Sequence, residues 1–280
     1  MRIKTALVTG GTDGVGLSIV RALVAAQYEV HFVGLSDMKG RALARELSAL
    51  TDQRIRFWCV DLSDMIAVNG FIDAFIADIP QLDRLVCSAG LVSMTRLETA
   101  QKFERTFAVN YLSAYALTNR LLPLLARAER ARVLLVSGSH PIALKQIINF
   151  EDVHAQQRYQ GIKALGQAIN AKTVLAQVLH ERWSDNNIVV NAVHPGFVRS
   201  RLGRHFPWGM DRVIRAAVWL LSNESALGIK AAVSPDFEGV SGYYLFGDQR
   251  EPLMFPAAYC ARLEQLSTEL LTCVEHADDV

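Results

Sequence analysis

Short β-branched, apolar runs alternate with longer stretches of helical spacing along the 280 residues. The runs "TALVTGG", "YEVHFVGL", "IRFWCVDL", "RLVCSAG", "RVLLVSGS", "IVVNAVHPG" and "GYYLFG" read as seven strands. Between them, Val15 to Ala26, Gly40 to Leu50 and Lys102 to Ala128 place apolar residues at the spacing of one helix face. This alternation is the signature of repeated βαβ units. It predicts a Rossmann-type, doubly wound, about seven-stranded parallel sheet with helices on both faces. No internal repeat, low-complexity tract or linker breaks the pattern, so residues 1–280 read as one domain, a normal size for an α/β core.

Where the first strand ends, the chain runs into "TGGTDGVG", Thr9 to Gly16, and then the helical "LSIVRALVAA". Glycines at such a turn let the backbone approach a pyrophosphate. The helix start beyond it offers free N–H groups and the positive end of a dipole. The strand before and the helix after make a phosphate-bearing cofactor the better reading than a plain tight turn, with Gly10, Thr12, Asp13, Gly14, Val15 and Gly16 lining it.

Composition narrows the partners. Basic and acidic residues number 29 and 28, and no run of Lys or Arg forms a footprint for nucleic acid or an anionic membrane surface. Cys59, Cys87, Cys260 and Cys273 lie far apart, without CxxC or His-paired spacing, which points to reduced thiols, no metal site and a cytoplasmic setting. Leu17 to Leu35 is apolar, but Arg21, Glu29 and His31 interrupt it and no cleavable signal precedes it, so no membrane span is expected.

With "TGGTDGVG", the "DL" of Asp61-Leu62, "FAVNYLSAYALTNRLLPLL" around Asn110 and "NAVHPG" at Asn191 to Gly196 on the page, the chain resembles the short-chain dehydrogenases/reductases over nearly its whole length. "VNAVHPGFVRSRLGRH" and "SPDFEGVSGYYLFGD" are similar to the late segments of the retinol-dehydrogenase-like branch. The resemblance implies that Asp61 and Leu62 flank an adenine, that Ala89 and Gly90 line the cofactor, that Pro195, Gly196 and Val198 approach a nicotinamide, and that 197–230 forms a substrate-side segment. It also implies NADP or NAD as cofactor, a small hydrophobic substrate, and a homodimer or homotetramer formed by pairing the long middle helices. Leu35 and Ser36 stand where a basic or acidic residue would choose between the two dinucleotides. Asp37 and Lys39 are near enough to be recruited, and the balance tips slightly to NADP.

In that family a Tyr exchanges a proton with the substrate oxygen, a Lys one turn later binds the ribose and lowers the Tyr pKa, a Ser polarises the carbonyl and an Asn steadies a water relay. Asn110 stands in the matching "VN" context. The Tyr is expected about 26 residues before Asn191, a slot that falls on Leu165, and the Lys slot then falls on Ile169. Spacing from Asn110 and Arg132 puts the Ser slot on Gly138, flanked by Ser137 and Ser139. The "RYQGIKALGQ" segment does contain Tyr159 and Lys163 at the right mutual spacing, but six residues early. On a helix that offset means about 9 Å of rise and about 240° of rotation, so the two pairs cannot share one place. "CSAG", Cys87 to Gly90, departs again, since two Asn usually precede Ala-Gly.

Three functions follow. The first is a scaffold that has lost its redox residues, binds its cofactor weakly or not at all, and promotes cyclisation, dehydration or isomerisation of a small hydrophobic molecule. The second is an NADP(H)-dependent carbonyl reductase with a shifted site of Asn110, Ser139, Tyr159 and Lys163. The third is a cofactor-sensing or scaffold protein without chemistry. Other polar groups near the mouth are His140, Lys145 and His194.

Overall fold

The first strand, β1 (Thr5–Thr9), is buried at every position, as a central strand covered on both faces must be. In the computed structural model, which describes residues 2–196 and 225–277, it pairs in parallel with β2 (Glu29–Gly34) on one side and β4 (Arg84–Cys87) on the other. Outward from these lie β3 (Ile55–Cys59) at one edge, then β5 (Ala131–Val136), β6 (Ile188–Val193) and β7 (Tyr243–Phe246) toward the other. The order 3-2-1-4-5-6-7 reverses between β1 and β4, and this switch point opens a crevice at the carboxyl ends of the strands. All seven runs read from the sequence are strands.

An eighth strand corrects the expected count. β8 (Gln249–Pro252) turns back antiparallel on β7 after Gly247 and Asp248, with Gly247 in the left-handed region at φ 56°. Its four residues are all exposed, so it carries no apolar signal of its own.

Helices cover both faces. α1 (Gly14–Ala25), α2 (Asp37–Ser48) and α9 (Ala226–Val233) pack one face around Val8, Phe32, Val86 and Leu134. The other face holds α3 (Met65–Asp78), the segment from Arg105 to Ala126, and the long α8 (Gly161–Arg182), around Leu7, Leu85, Val133 and Val174. The apolar stretch 17–35 divides between α1 and β2. Among the described residues no helix is long and apolar enough to cross a membrane.

The single helix expected from Lys102 to Ala128 is instead a chain of pieces: α4 (Arg105–Phe107), a π-helical turn (Ala108–Leu112), α5 (Ser113–Arg120) and α6 (Leu122–Ala126). The π turn carries Asn110, whose Nδ2 donates to Thr106 O at 2.8 Å and Leu91 O at 2.7 Å. Such turns recur where a side chain must be aimed at a site.

The last helix, α10 (Ala257–Ala277), lies outside this layer. Its Ser267 and Thr268 meet the Tyr111 and Tyr115 hydroxyls at 2.6 and 3.1 Å, and Glu264 pairs with Arg182 of α8. α10 thus packs on the middle helices through which pairing between copies was expected. Tyr259 also ties α10 to the interior: its hydroxyl accepts from Ile148 N and donates to Asn170 Oδ1, each at 2.9 Å, while Asn170 Nδ2 holds Ala143 O at 2.8 Å.

Candidate active site

The crevice at the switch point gathers most of the residues expected to hold a cofactor. Gly10, at φ 68°, turns the chain out of β1, and a Cβ there would lie 2.9 Å from Ala89 Cα. Gly16 is equally constrained, since a Cβ would meet Ser88 Oγ at 2.6 Å. Glycines therefore let α1 and the Ser88–Gly90 loop close on each other and leave a backbone-lined cradle. Asp13 caps α1 through Gly14 N at 2.9 Å, and the next N–H groups, of Val15 and Gly16, have no backbone or side-chain acceptor among the described residues. That cradle fits a dinucleotide pyrophosphate.

Around it, Asp61 and Leu62 follow β3, with Asp61 Oδ1 accepting from Ser63 N at 2.9 Å and its other oxygen 3.7 Å from Arg105. Ser36 caps α2 at the end of β2. Lys39 reaches back so that its Nζ lies 3.5 Å from Asp13 Oδ2, whereas Asp37 is engaged by Arg41. Thr9 Oγ1 accepts from Ala89 N at 3.1 Å, which anchors the Ala89–Gly90 loop to β1, while the Thr12 side chain lies against Gly34 of β2. Pro195 and Gly196 follow β6, with Gly196 at φ 78° and its N–H donated to His194 Nδ1 at 2.8 Å. Val198 and most of the 197–230 segment lie outside the described residues.

The residues read as catalytic divide into two places. Gly138 and Ile169 are neighbours: a Cβ on Gly138 would lie 2.9 Å from Ile169 Cδ1 and 3.2 Å from Cγ2. The Ile side chain therefore fills the room a residue at 138 would need, and it is only 9% exposed. Leu165, one turn earlier on α8, is half-buried against the same core. Tyr159 stands before the start of α8 and donates its hydroxyl to Ser93 O at 2.9 Å, 3.4 Å from Glu104 Oε1. Burial raises its pKa, which disfavours the ionised form a proton acceptor would need. Lys163 is exposed on the first turn of α8. Ser139 lies beyond the strand: β5 ends at Val136, and Ser139 opens α7 (His140–Lys145), its carbonyl accepting from Ile142 and Ala143. No hydrogen bond joins Ser139, Tyr159 and Lys163, and Asn110 is bound to Leu91 and Thr106 rather than to any of them.

Two features escaped the sequence reading, the first being the partner of His140. His140 Nε2 lies 2.7 Å from Glu251 Oε2 of β8, beside Tyr244, whose hydroxyl donates to Gly138 O at 2.7 Å. The partners are 111 positions apart, and sequence spacing offers no signal for such a pair. The other is Lys172, buried on α8, whose Nζ donates to Ala89 O at 3.3 Å. Here a signal existed. Lys172 stands seven residues after Leu165, about two turns, so a lone charge falls on the helix face that meets the cofactor loop.

Comparison with known proteins accords with this geometry. The family described as short chain dehydrogenase matches residues 4–142. Retinol dehydrogenase 14 of Mus musculus is 31% identical over 92% of this chain and 81% of its own length. A probable oxidoreductase of Streptomyces lividans is 34% identical over 89% and 86% respectively. Among solved structures, a blue fluorescent protein from a metagenomic library, in complex with NADPH, superposes with a TM-score of 0.67 at 22% identity, covering 86% of this chain and 95% of that one. The chain belongs to the short-chain dehydrogenase family, in its retinol-dehydrogenase-like branch.

Proposed function

We propose that this protein binds a nicotinamide dinucleotide at its glycine loop, NADP in preference to NAD, and promotes a non-redox step on a small hydrophobic molecule in an apolar chamber. One observation carries the reading: Ile169 is packed into the space beside Gly138, where the family sets a lysine and a serine. A bound dinucleotide supplies hydride chemistry in the family. Here Leu165 offers no proton to an oxyanion and Ile169 no charge to a ribose. The chamber's walls instead confine an apolar ligand and exclude water. The proton-carrying groups at hand are His140 and its partner Glu251, suited to moving a proton between two atoms of one substrate, as dehydration, cyclisation and isomerisation require. The preference for NADP rests on Lys39, drawn to Asp13 beside the glycine loop, and on the lack of an acid at positions 35 and 36.

The relatives' names favour a second reading, carbonyl reduction through Ser139, Tyr159 and Lys163. One experiment separates the two. NADPH and NADH are titrated calorimetrically, and NADPH consumption is then followed with a panel of apolar ketones and aldehydes. We expect NADPH to bind more tightly than NADH and to survive incubation with every carbonyl. Consumption that a Tyr159→Phe change abolishes would establish the second reading, and binding of neither dinucleotide at millimolar concentration would remove the cofactor from the first.

A further inference from the structure

Among the described residues Lys172 pairs with no carboxylate, although it is only 3% exposed. Burying an unpaired ammonium is costly, and its charge has one recorded hydrogen-bond partner, the Ala89 carbonyl. Its position on the chain gives that contact meaning. Ala89 touches the glycine loop, being close enough to Gly10 to forbid a side chain there, and its N–H is held by Thr9. Ser88 donates its hydroxyl to Thr9 O, so the whole loop is clamped between β1 and the ammonium. One turn before Lys172 on the same face of α8 stands Ile169, the apolar occupant of the slot where the family keeps its ribose-binding lysine.

We infer that Lys172 is a positioning residue for the dinucleotide: its ammonium fixes the Ala89 carbonyl and sets a positive charge behind the loop on which the anionic cofactor packs, in place of the lysine that residue 169 lacks. This rests on the reading that the glycine loop binds a dinucleotide. A polyanion arriving at the loop favours the charged form of Lys172, and by reciprocity the charged form favours the polyanion. Burial already brings the free ammonium down to about 8. Of the groups around it, the Cys87 thiol of β4 is the titratable one that acts on it, and burial pushes that thiol up to about 12, so it stays neutral throughout the range concerned. The Ser88–Gly90 loop and the α8 neighbours Ala168, Ile169, Ala171 and Thr173 carry no charge. Affinity for the dinucleotide is therefore level below the free ammonium's pKa and falls as pH rises above it, with one proton taken up on binding as the slope steepens.

The test is calorimetric titration of the intact protein with NADPH from about pH 7 to about pH 9.5, in two buffers of different ionisation enthalpy so that protons taken up are counted. For the wild type we expect affinity to fall about tenfold across that range, with net proton uptake above pH 8. Lys172→Met should bind about tenfold more weakly at neutral pH, with a flat profile and no uptake. Lys172→Arg keeps the charge without titrating, so it should hold neutral-pH affinity within about threefold and also be flat. Because the methionine variant could fail to fold, the arginine variant and the wild-type proton count each decide alone. A wild-type profile without slope or uptake overturns the inference, as does a variant that binds NADPH with the wild-type slope. No binding by the wild type at any pH overturns the cofactor reading and this inference together, a different outcome from binding without pH dependence.

Discussion

Adding one methyl at Gly138 tests the packing on which the proposed loss of redox chemistry depends. In Gly138→Ala the new carbon starts 2.9 Å from Ile169 Cδ1, 3.2 Å from its Cγ2 and 3.6 Å from Ile142 Cγ2. The Cδ1 end can swing aside, but Cγ2 hangs on a branched carbon whose rotamer the helix restricts. Overpacking of this kind costs about 1–3 kcal/mol. Gly138 does not lie in the left-handed region, so alanine also narrows the unfolded ensemble and returns about 0.4–1 kcal/mol. The net loss should be about 1 kcal/mol. Ile169→Ala alone, at a buried site, should cost about 2 kcal/mol or more. In the double variant the alanine methyl at 138 occupies vacated space, so the overpacking cost vanishes and the pair should be about 1–3 kcal/mol more stable than the sum of the singles, each kcal/mol being about 2–4 °C in melting temperature for a chain of this size. Urea denaturation of the four proteins, compared at equal m-values, measures this. Additivity within about 0.5 kcal/mol would mean that residues 138 and 169 do not touch, and the assignment of Ile169 to the lysine slot would fail with it.

Two further outcomes are expected. Tyr159→Phe removes the hydroxyl bonded to Ser93 O, so it should lower stability by about 1 kcal/mol and leave any turnover within about tenfold; a loss of about a hundredfold, with ligand binding intact, would make Tyr159 the proton donor. The second concerns pH: His31 is fully buried between Glu29 and the Trp58 indole, and burial holds its pKa below the ordinary histidine value. The unfolded chain then takes up a proton that the folded chain refuses, so stability is unaffected above about pH 6.5 and declines below it, by up to about 1.4 kcal/mol per pH unit for this group. His154 and His194 are shifted the same way, so the urea midpoint should fall between about pH 7.5 and 5.5 and fall less in His31→Gln; an equal fall in that variant would clear His31 of the effect.

The parallel sheet was legible because its seven strands are mostly apolar runs ending in turns, a signal that burial on both faces imposes on the central ones. β8 was not, since Gln249 to Pro252 face solvent and owe their place to a hairpin partner. The Lys102–Ala128 helix was read whole because its apolar spacing continues across the π turn, where the break comes from Asn110 bonding backward to Thr106 and outward to Leu91. The register of the family's slots along α8 was read from the length of the stretch between Leu165 and Asn191. The contact between Gly138 and Ile169 was hidden by the thirty residues between them. Lys172 was visible as a residue, yet a Lys in a helix ordinarily reads as solvated; only the position of Ala89 shows that this one is not.

The bonds of Tyr259 bear on the order in which the protein is made. The backbone at Ala143 and Ile148 is held, through Asn170 and directly, by a tyrosine synthesised 89 positions after that Asn. At about 5–20 residues per second a ribosome needs about 4–18 s to cover that distance. During that interval β6 and then β7 are made, while the 143–148 backbone waits for α10. The glycine loop and α1 are thus complete in the nascent chain well before the 143–148 backbone meets its last partner.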